Sequence, residues 1–124
     1  MIFLDTHVMV WLYTGLLQKI PKKIQHQLES ADLYISPMVE LELDYLNEIG
    51  RTTVKGVDIV RYLDAHMGIM VSRVDFYRIV EEAQQQRWTR DPFDRLIVAN
   101  ASVFQAPLIT KDERIIQNYS HAIW

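Results

Sequence analysis

The chain has 124 residues and a mass of 14.6 kDa, a length typical of one globular domain. Hydrophobic residues make up 49% and charged residues 23%, which excludes a disordered tail. Cysteine is absent, so disulfide scaffolds, thiolate zinc sites and cysteine nucleophiles are excluded. With 13 Lys and Arg against 16 Asp and Glu the net charge is −3, which disfavours binding of nucleic acid by bulk positive charge.

No segment has the pattern of an export or membrane signal. The longest uncharged run, Leu96–Thr110, is shorter than the ~20 residues that a membrane span needs. Asp5 interrupts the region where a signal peptide would be basic and then apolar. Together with the absence of cysteine, this predicts a soluble, cytoplasmic protein that is not associated with a membrane.

Short apolar segments alternate with amphipathic ones along the chain. The predicted elements are, in order, strand Met1–Leu4, helices His7–Leu17 and Pro21–Ser30, strand Leu33–Ile35, helices Pro37–Gly50 and Val54–His66, strand Ile69–Val71, helices Asp75–Arg87 and Pro92–Phe104, strand Pro107–Ile109, helix Asp112–Asn118 and strand His121–Trp124. This alternation is typical of parallel βαβ units with helices on both sheet faces. It predicts a three-layer α/β/α sandwich around a short, mostly parallel sheet of about four or five strands.

Two acidic residues follow predicted strands. Asp5 comes directly after Ile2-Phe3-Leu4, and Asp112 comes just after Leu108-Ile109-Thr110. Open parallel sheets bind ligands beyond the carboxyl ends of their strands, so both residues are candidates for a functional site. Each of them alone is equally well explained as a polar loop residue or a helix cap.

Glu42 lies on a helix face that is expected to be apolar. The helix beginning at Pro37 places it in register with Met38, Tyr45, Leu46 and Ile49, whereas Glu40, Asp44, Asn47 and Glu48 form a predicted solvated face. A carboxylate in an apolar stripe is unfavourable unless it is paired, protonated or bound to metal. The alternatives are a rim position or a buried ion pair.

Asp94 repeats this pattern near the start of a later helix. Asp91 is the natural N-cap and Pro92 the first helical residue, so Asp94 lies at the third helical position. There it aligns with the inward-facing Ile97, Val98 and Ala101. The alternative explanation for Asp94 is a favourable interaction with the helix dipole.

The predicted fold brings these four carboxylates to one edge of the sheet. Carboxylates that share a site repel one another unless a cation screens them. Oxygen-only ligands favour a hard cation such as Mg²⁺ or Mn²⁺. Such a cation polarises a phosphodiester and lowers the pKa of bound water, so the pattern indicates hydrolysis of phosphodiester bonds.

Four segments, in this order, resemble the motifs of PIN-domain ribonucleases, and in particular the VapC-type toxins of type II toxin–antitoxin systems. They are Ile2-Phe3-Leu4-Asp5-Thr6-His7, Ile35-Ser36-Pro37-Met38-Val39-Glu40-Leu41-Glu42-Leu43, Thr89-Arg90-Asp91-Pro92-Phe93-Asp94-Arg95-Leu96-Ile97-Val98-Ala99-Asn100-Ala101 and Leu108-Ile109-Thr110-Lys111-Asp112. The resemblance covers nearly the whole chain and implies a single PIN-like domain over residues 1–124. Its Arg-Asp-Pro-Phe-Asp-Arg stretch is the most distinctive part.

The resemblance implies that Asp5, Glu42, Asp94 and Asp112 are the catalytic and metal-binding residues. Glu40 is a rival for Glu42 and Asp91 for Asp94, and in both cases the inward-face pattern favours the same residue as the family spacing. The implied activity is Mg²⁺- or Mn²⁺-dependent endonucleolytic cleavage of RNA. The implied partners are an RNA substrate, a cognate antitoxin protein and a second copy of the chain in a homodimer.

Other residues are secondary candidates for the same site. Thr6 and Thr110 have hydroxyl groups that can orient water or phosphate, although local hydrogen bonding explains them as well. Arg90, Arg95 and Lys111 are candidates for phosphate contacts. Trp11, Tyr13 and Trp88 are candidates for base stacking, with core or interface packing as the stronger expectation. His7 is expected to be structural or a minor substrate contact.

Two other functions fit parts of the sequence. A receiver-like phospho-signalling domain needs an acid pair after its first strand, but Thr6 follows Asp5, and Asp75 and Lys111 fill its other roles poorly. A phosphotransferase with an Asp-x-Asp motif is disfavoured because His7 stands in place of the second acid. The remaining alternative is a non-catalytic PIN-like interaction module, which retention of all four acids disfavours.

Overall fold

A computed structural model describes residues 1–124 as a parallel five-stranded sheet with helices packed around it. The strands are β1 (Ile2–Leu4), β2 (Leu33–Ile35), β3 (Met70–Val71), β4 (Leu108–Ile109) and β5 (Ala122–Ile123), in the spatial order β3-β2-β1-β4-β5. Every neighbouring pair is parallel. The predicted α/β/α sandwich is therefore confirmed, and its sheet is parallel throughout.

Seven α-helices connect the strands. They are α1 (Thr6–Thr14), α2 (Lys22–Ser30), α3 (Pro37–Glu48), α4 (Gly56–Met67), α5 (Phe76–Ala83), α6 (Pro92–Val103) and α7 (Glu113–Asn118). Their caps follow local sequence signals: Ser36, Asp91 and Asp112 accept backbone N–H groups at the starts of α3, α6 and α7. None of the helices combines the length and the apolarity needed to cross a membrane.

Three details differ from the sequence-based expectation. Leu17–Lys19 forms a short 3₁₀ helix beyond α1. Pro21 is the N-cap of α2 rather than its first helical residue. The helix predicted over Asp75–Arg87 ends at Ala83, because the glutamine-rich segment that follows supplies no further apolar contact to hold another turn.

The buried core lies where the central strand β1 meets its neighbours. Phe3 and Leu4 of β1 are at most 1% exposed, and Leu108 and Ile109 of β4 are fully buried. Leu4 pairs in register with Ile109, so the carboxyl ends of β1 and β4 lie side by side. These contacts fix the residues that follow the two strands at one edge of the sheet.

The sheet has a switch point between β1 and β4. The chain passes from β1 to β2 and β3 on one side, and only then crosses to β4 and β5 on the other. Ligands of open α/β sheets bind in the crevice that such a reversal leaves beyond the carboxyl ends of the strands. The order also differs from the 2-1-3-4-5 order typical of receiver domains, which removes support for the phospho-signalling alternative.

The predicted solvated face of α3 is wrong in part, because α4 covers it. Asp44 accepts a hydrogen bond from the backbone N–H of Gly56 at 3.2 Å, and Glu40 and Asp44 are half-buried. A Cβ at Gly56 would lie 2.5 Å from the Glu40 carbonyl oxygen, so only glycine permits this approach. This contact fixes the position of α3 against α4.

Candidate functional site

Asp5 ends β1 and is the N-cap of α1. Its carboxylate is only 6% exposed, and both of its oxygens are engaged. Oδ1 accepts the backbone N–H of Thr6 at 2.7 Å, and Oδ2 accepts the hydroxyl of Thr110 at 2.6 Å. Burial raises the pKa of Asp5, while the hydrogen bonds from Thr110 and Thr6 and the imidazole of His7 oppose the rise.

Thr110 links the two strand ends to Asp112. Its buried hydroxyl donates to Asp5 and accepts the backbone N–H of Asp112 at 3.0 Å. Asp112 in turn caps α7, because its Oδ1 accepts the N–H groups of Arg114 at 2.8 Å and of Ile115 at 3.4 Å. One carboxylate oxygen of Asp112 is thus used in capping, and its second oxygen makes no hydrogen bond within the chain.

Glu42 is half-buried on α3. However, the apolar stripe that was predicted to contain it is not the buried face of this helix. The buried residues of this helix are Val39 and Leu43, whereas Tyr45 and Ile49 are 46% and 49% exposed, so the predicted register is wrong for those two. Burial raises the pKa of Glu42, the hydroxyl of Thr6 opposes the rise as a hydrogen-bond donor, the negative charges of Asp5 and Asp91 add to it, and His7 lowers it. Glu42 therefore faces the end of β1, as expected of a site residue.

Asp94 lies in the first turn of α6, beside its buried residues Ile97 and Val98. Asp91 is exposed and caps this helix, with its Oδ1 accepting the N–H of Phe93 at 2.8 Å and of Asp94 at 3.4 Å. Burial, together with the negative charges of the four carboxylates Asp91, Asp5, Asp112 and Glu42, raises the pKa of Asp94 to about 7.

The structure thus brings the four predicted site residues into one electrostatic cluster, in which no carboxylate forms an ion pair with a lysine or arginine. The pKa values of Asp5, Glu42 and Asp94 are all raised. The single ion pair within 4.0 Å in the chain joins His26 and Glu29, which are exposed residues of α2. Buried like charges of this kind are unfavourable in the absence of a bound cation.

The chemistry of the cluster fits a hard divalent cation. All four side chains offer carboxylate oxygens, and the fully buried hydroxyl of Thr6 lies beside Glu42, whose pKa it lowers. No three acidic or histidine side chains lie close enough together to enclose an ion. Mg²⁺ usually takes only one or two carboxylates and keeps several waters, so a loose set of oxygens suits it.

The three basic residues predicted to contact phosphate differ in their exposure and in their hydrogen bonds. Lys111 and Arg90 are exposed, although one Arg90 nitrogen donates to the Arg87 carbonyl at 3.1 Å. Arg95 is half-buried, and its Nε donates to the carbonyl of Ala83 at 3.2 Å. Arg95 therefore links α6 to α5, and its guanidinium is partly committed to that contact.

Two further basic side chains lie beside tryptophan rings. Arg114 lies 5.9 Å from the Trp88 ring centroid and donates to the Trp88 carbonyl at 2.7 Å. Lys19 lies 5.8 Å from the centroid of Trp11. Lys19 is distant in sequence from the acidic motif segments, and only the fold reveals its place beside Trp11.

The fold defines an α/β/α sandwich protein with a cluster of carboxylates at the switch point of its sheet. The sequence profile of the PIN domain matches residues 2–120, and the chain belongs to the PIN domain family. No curated protein sequence matches the chain.

Solved structures of similar fold come from toxin–antitoxin complexes. One of them is the crystal structure of VapBC2 from Rickettsia felis bound to a promoter DNA fragment. A chain of that structure matches with a TM-score of 0.68 and 18% sequence identity, and the match covers 99% of this chain and 96% of that chain. A toxin–antitoxin complex from Klebsiella pneumoniae gives 0.68 at 16%, with 100% and 97% covered. VapBC-1 from nontypeable Haemophilus influenzae gives 0.65 at 20%, with 100% and 96% covered. The three share the fold of this chain.

Replacing Thr110 by valine tests the bond between the two strand ends. We expect Thr110→Val to lower the free energy of unfolding by about 1–3 kcal/mol at pH 8, because the isosteric side chain leaves buried Asp5 without its hydroxyl donor. The loss should be smaller at pH 4, where a neutral Asp5 needs less stabilisation. Urea unfolding followed by circular dichroism measures it. Thr53→Val, at an exposed loop position without a side-chain hydrogen bond, is the control and should change stability by less than ~0.5 kcal/mol.

Asp94 makes stability depend on pH in a defined direction. Its pKa is about 7 in the folded protein and 3.8 as the reference, so the folded state holds this proton more tightly and loses stability as the pH rises between those values. Without divalent metal, Asp94→Asn should therefore stabilise the protein by about 1–2 kcal/mol at pH 8, a figure reduced for partial solvent access, and change little at pH 4. Thermal unfolding in EDTA measures this difference. Equal effects of Asp94→Asn at both pH values, or the same pH dependence in the exposed-site variant Glu81→Gln, would contradict the proposed repulsion.

Proposed function

We propose that this chain is a metal-dependent endoribonuclease that cleaves RNA phosphodiester bonds and acts as the toxin of a toxin–antitoxin pair. The observation that carries the proposal is the cluster of Asp5, Glu42, Asp94 and Asp112 at the switch point, where none of the four has a lysine or arginine ion-pair partner and the pKa values of the first three are raised. Membership of the PIN domain family supports it. Residues 1–124 act as one such domain.

The four carboxylates would hold Mg²⁺ or Mn²⁺, directly or through water. When bound, the cation supplies electrostatic stabilisation of the charge that develops on the phosphoryl oxygens, and it favours ionisation of the attacking water. Asp5 is the most rigidly held of the four, since hydrogen bonds orient both of its oxygens. Each of those oxygens retains a free lone pair for a further ligand.

The remaining steps use the chain's own groups. A carboxylate of the cluster accepts the proton that the attacking water loses as its oxygen bonds to phosphorus, and the bond to the leaving ribose oxygen breaks. The leaving oxygen takes its proton from solvent. The buried hydroxyl of Thr6, beside Glu42, can orient the water, and exposed Lys111 and Arg90 can contact neighbouring phosphates.

The partners follow from the same proposal. Solved structures of similar fold belong to toxin–antitoxin complexes, which supports an antitoxin partner for this chain. For the homodimer, support comes from an apolar stripe on α3: Leu41, Tyr45 and Ile49 recur every four residues and are 55%, 46% and 49% exposed. Two copies related by a twofold axis can bury this stripe against the same stripe of the partner. Such an interface uses one and the same surface on both copies.

Cleavage of RNA by purified protein tests the activity. In Mg²⁺ or Mn²⁺ we expect endonucleolytic products from structured or single-stranded RNA, and none in EDTA. Asp5→Asn, Glu42→Gln, Asp94→Asn and Asp112→Asn should each lower the rate by about 100-fold or more, because each removes charge from the metal-binding cluster. Product gels with end-labelled RNA give the rates.

Two variants serve as controls for this series. Glu81→Gln changes an exposed acid outside the cluster and should cleave at the wild-type rate. Asp91→Asn keeps a good N-cap and should retain activity within about tenfold. An inactive Asp91→Asn beside an active Asp94→Asn would show that the roles of these two are reversed. A chain that never cleaves but still binds its partner protein would be a non-catalytic PIN-like module.

The α3 stripe gives a separate prediction for assembly. We expect a dimer in light-scattering measurements at micromolar concentration, and a monomer for Leu41→Asp, which places a charge in the interface. Phe76→Asp alters an equally exposed apolar residue on α5 and should leave the dimer intact. A monomeric Phe76→Asp with a dimeric Leu41→Asp would place the interface elsewhere.

A further inference from the structure

Trp11 has surroundings that the hydrophobic core does not explain. It lies on α1 one turn after His7, with the two ring centroids 6.4 Å apart. The Trp124 ring lies on another side at 5.6 Å, tilted by 53°. Both tryptophans are half-buried against the core and keep part of their surface open to solvent. The result is an aromatic surface with two indole rings.

Two lysines converge on this surface. The ammonium of Lys19 lies 5.8 Å and that of Lys111 5.9 Å from the Trp11 ring centroid. Neither forms an ion pair, since the single pair in the chain joins His26 and Glu29. Cation–π attraction accounts for one ammonium beside a ring, but a second ammonium there adds repulsion. Two unneutralised positive charges beside one indole form a place for an anionic group.

The aromatic surface is continuous with the acidic cluster. Lys111 lies between Thr110 and Asp112 in the chain, and the backbone N–H of Thr110 donates to the carbonyl of Ile123, directly before Trp124, at 3.1 Å. On the α1 side, His7 lies close enough to Asp5 to lower the pKa of that carboxyl. Trp11 is one helical turn further, which separates it from His7 by about 6 Å.

An aromatic face together with paired ammonium groups matches the chemistry of an unpaired nucleotide. The base stacks on an indole irrespective of its identity, and lysines contact the adjacent phosphates. An acidic peptide would satisfy the lysines but would leave the indole face without a flat partner. Because this surface lies next to the acidic cluster, an RNA strand bound here can place its neighbouring phosphate among the carboxylates.

We propose that Trp11, Trp124, Lys19 and Lys111 form a subsite that binds one unpaired nucleotide next to the cleaved phosphodiester bond. This inference rests on the proposed ribonuclease function and deepens it, because it assigns four residues outside the acidic cluster to one nucleotide of the substrate. Trp11 supplies stacking, and the two lysines supply phosphate contacts. Specificity then depends on whether the RNA is unpaired at that position more than on which base it carries.

The test compares variants of the full chain on two readouts. Fluorescence anisotropy with a short unstructured RNA is recorded in Mg²⁺ on a Glu42→Gln background, in which the RNA is not cleaved. Cleavage kinetics of the same RNA give KM and kcat on the wild-type background. The variants are Trp11→Ala, the conservative Trp11→Phe, and Lys19→Gln. Tyr77→Ala and Lys23→Gln are matched controls at exposed positions away from this surface.

We expect Trp11→Ala to weaken RNA binding by about 10- to 100-fold, as for loss of one base–aromatic stack. It should raise KM more than it lowers kcat, while Trp11→Phe restores most of the affinity. Lys19→Gln should reduce the slope of log affinity against log salt by about 0.7, the value for one phosphate contact on a single strand. A fully paired RNA duplex should bind equally to the wild type and to Trp11→Ala.

Different failures have different meanings. Wild-type affinity and KM in both Trp11→Ala and Lys19→Gln, with normal cleavage, would overturn the subsite and leave the ribonuclease function intact. Absence of both RNA binding and cleavage in the wild type would overturn the two together. Should a short glutamate-rich peptide bind more tightly than RNA and lose affinity in Trp11→Ala, the surface is a protein-docking site and the nucleotide proposal is wrong. If Trp11→Ala does not fold, Trp11→Phe and Lys19→Gln still decide the outcome.

Discussion

The hydrogen bond from the Thr110 hydroxyl to Asp5 is the interaction on which the rest of this site depends. It joins residues separated by 105 positions, at the point where the two central strands of the sheet end together. It also orients a buried carboxylate that burial and neighbouring charge otherwise destabilise. Carboxylates placed close together repel one another and lower the stability of the fold, yet the proposed function needs all four of them. Stability and function therefore oppose each other at this site.

The sequence predicted the parts of the fold and site that depend on local signals. Alternating short apolar runs and amphipathic stretches were enough for the α/β/α sandwich, and Asp91 could be recognised as a cap because capping depends on the next few residues. Asp94 was separable from Asp91 for the same reason: once the cap is fixed, helical periodicity places Asp94 against buried Ile97 and Val98.

Features that depend on tertiary packing could not be read in this way. Glu40 and Asp44 look solvated on a helical wheel of α3, but α4 covers them, because Gly56 permits a backbone approach that no pattern on α3 encodes. Thr110 makes the local hydrogen bond expected of it, from the backbone N–H of Asp112, but its hydroxyl also donates to Asp5 at the other end of the chain. The surroundings of Trp11 have the same origin, since Lys19, Lys111 and Trp124 meet it only in the folded protein.

The strand order also determines when the acidic cluster assembles during protein synthesis. β1 is made first, yet its neighbour β4 emerges only after more than a hundred further residues have been added. Before then Asp5 has neither its hydroxyl donor nor Asp112 beside it, and the central strand has one open side. A nascent chain that has not yet reached β4 therefore has an incomplete acidic cluster, in which Asp5 and Glu42 are present without Thr110 and Asp112.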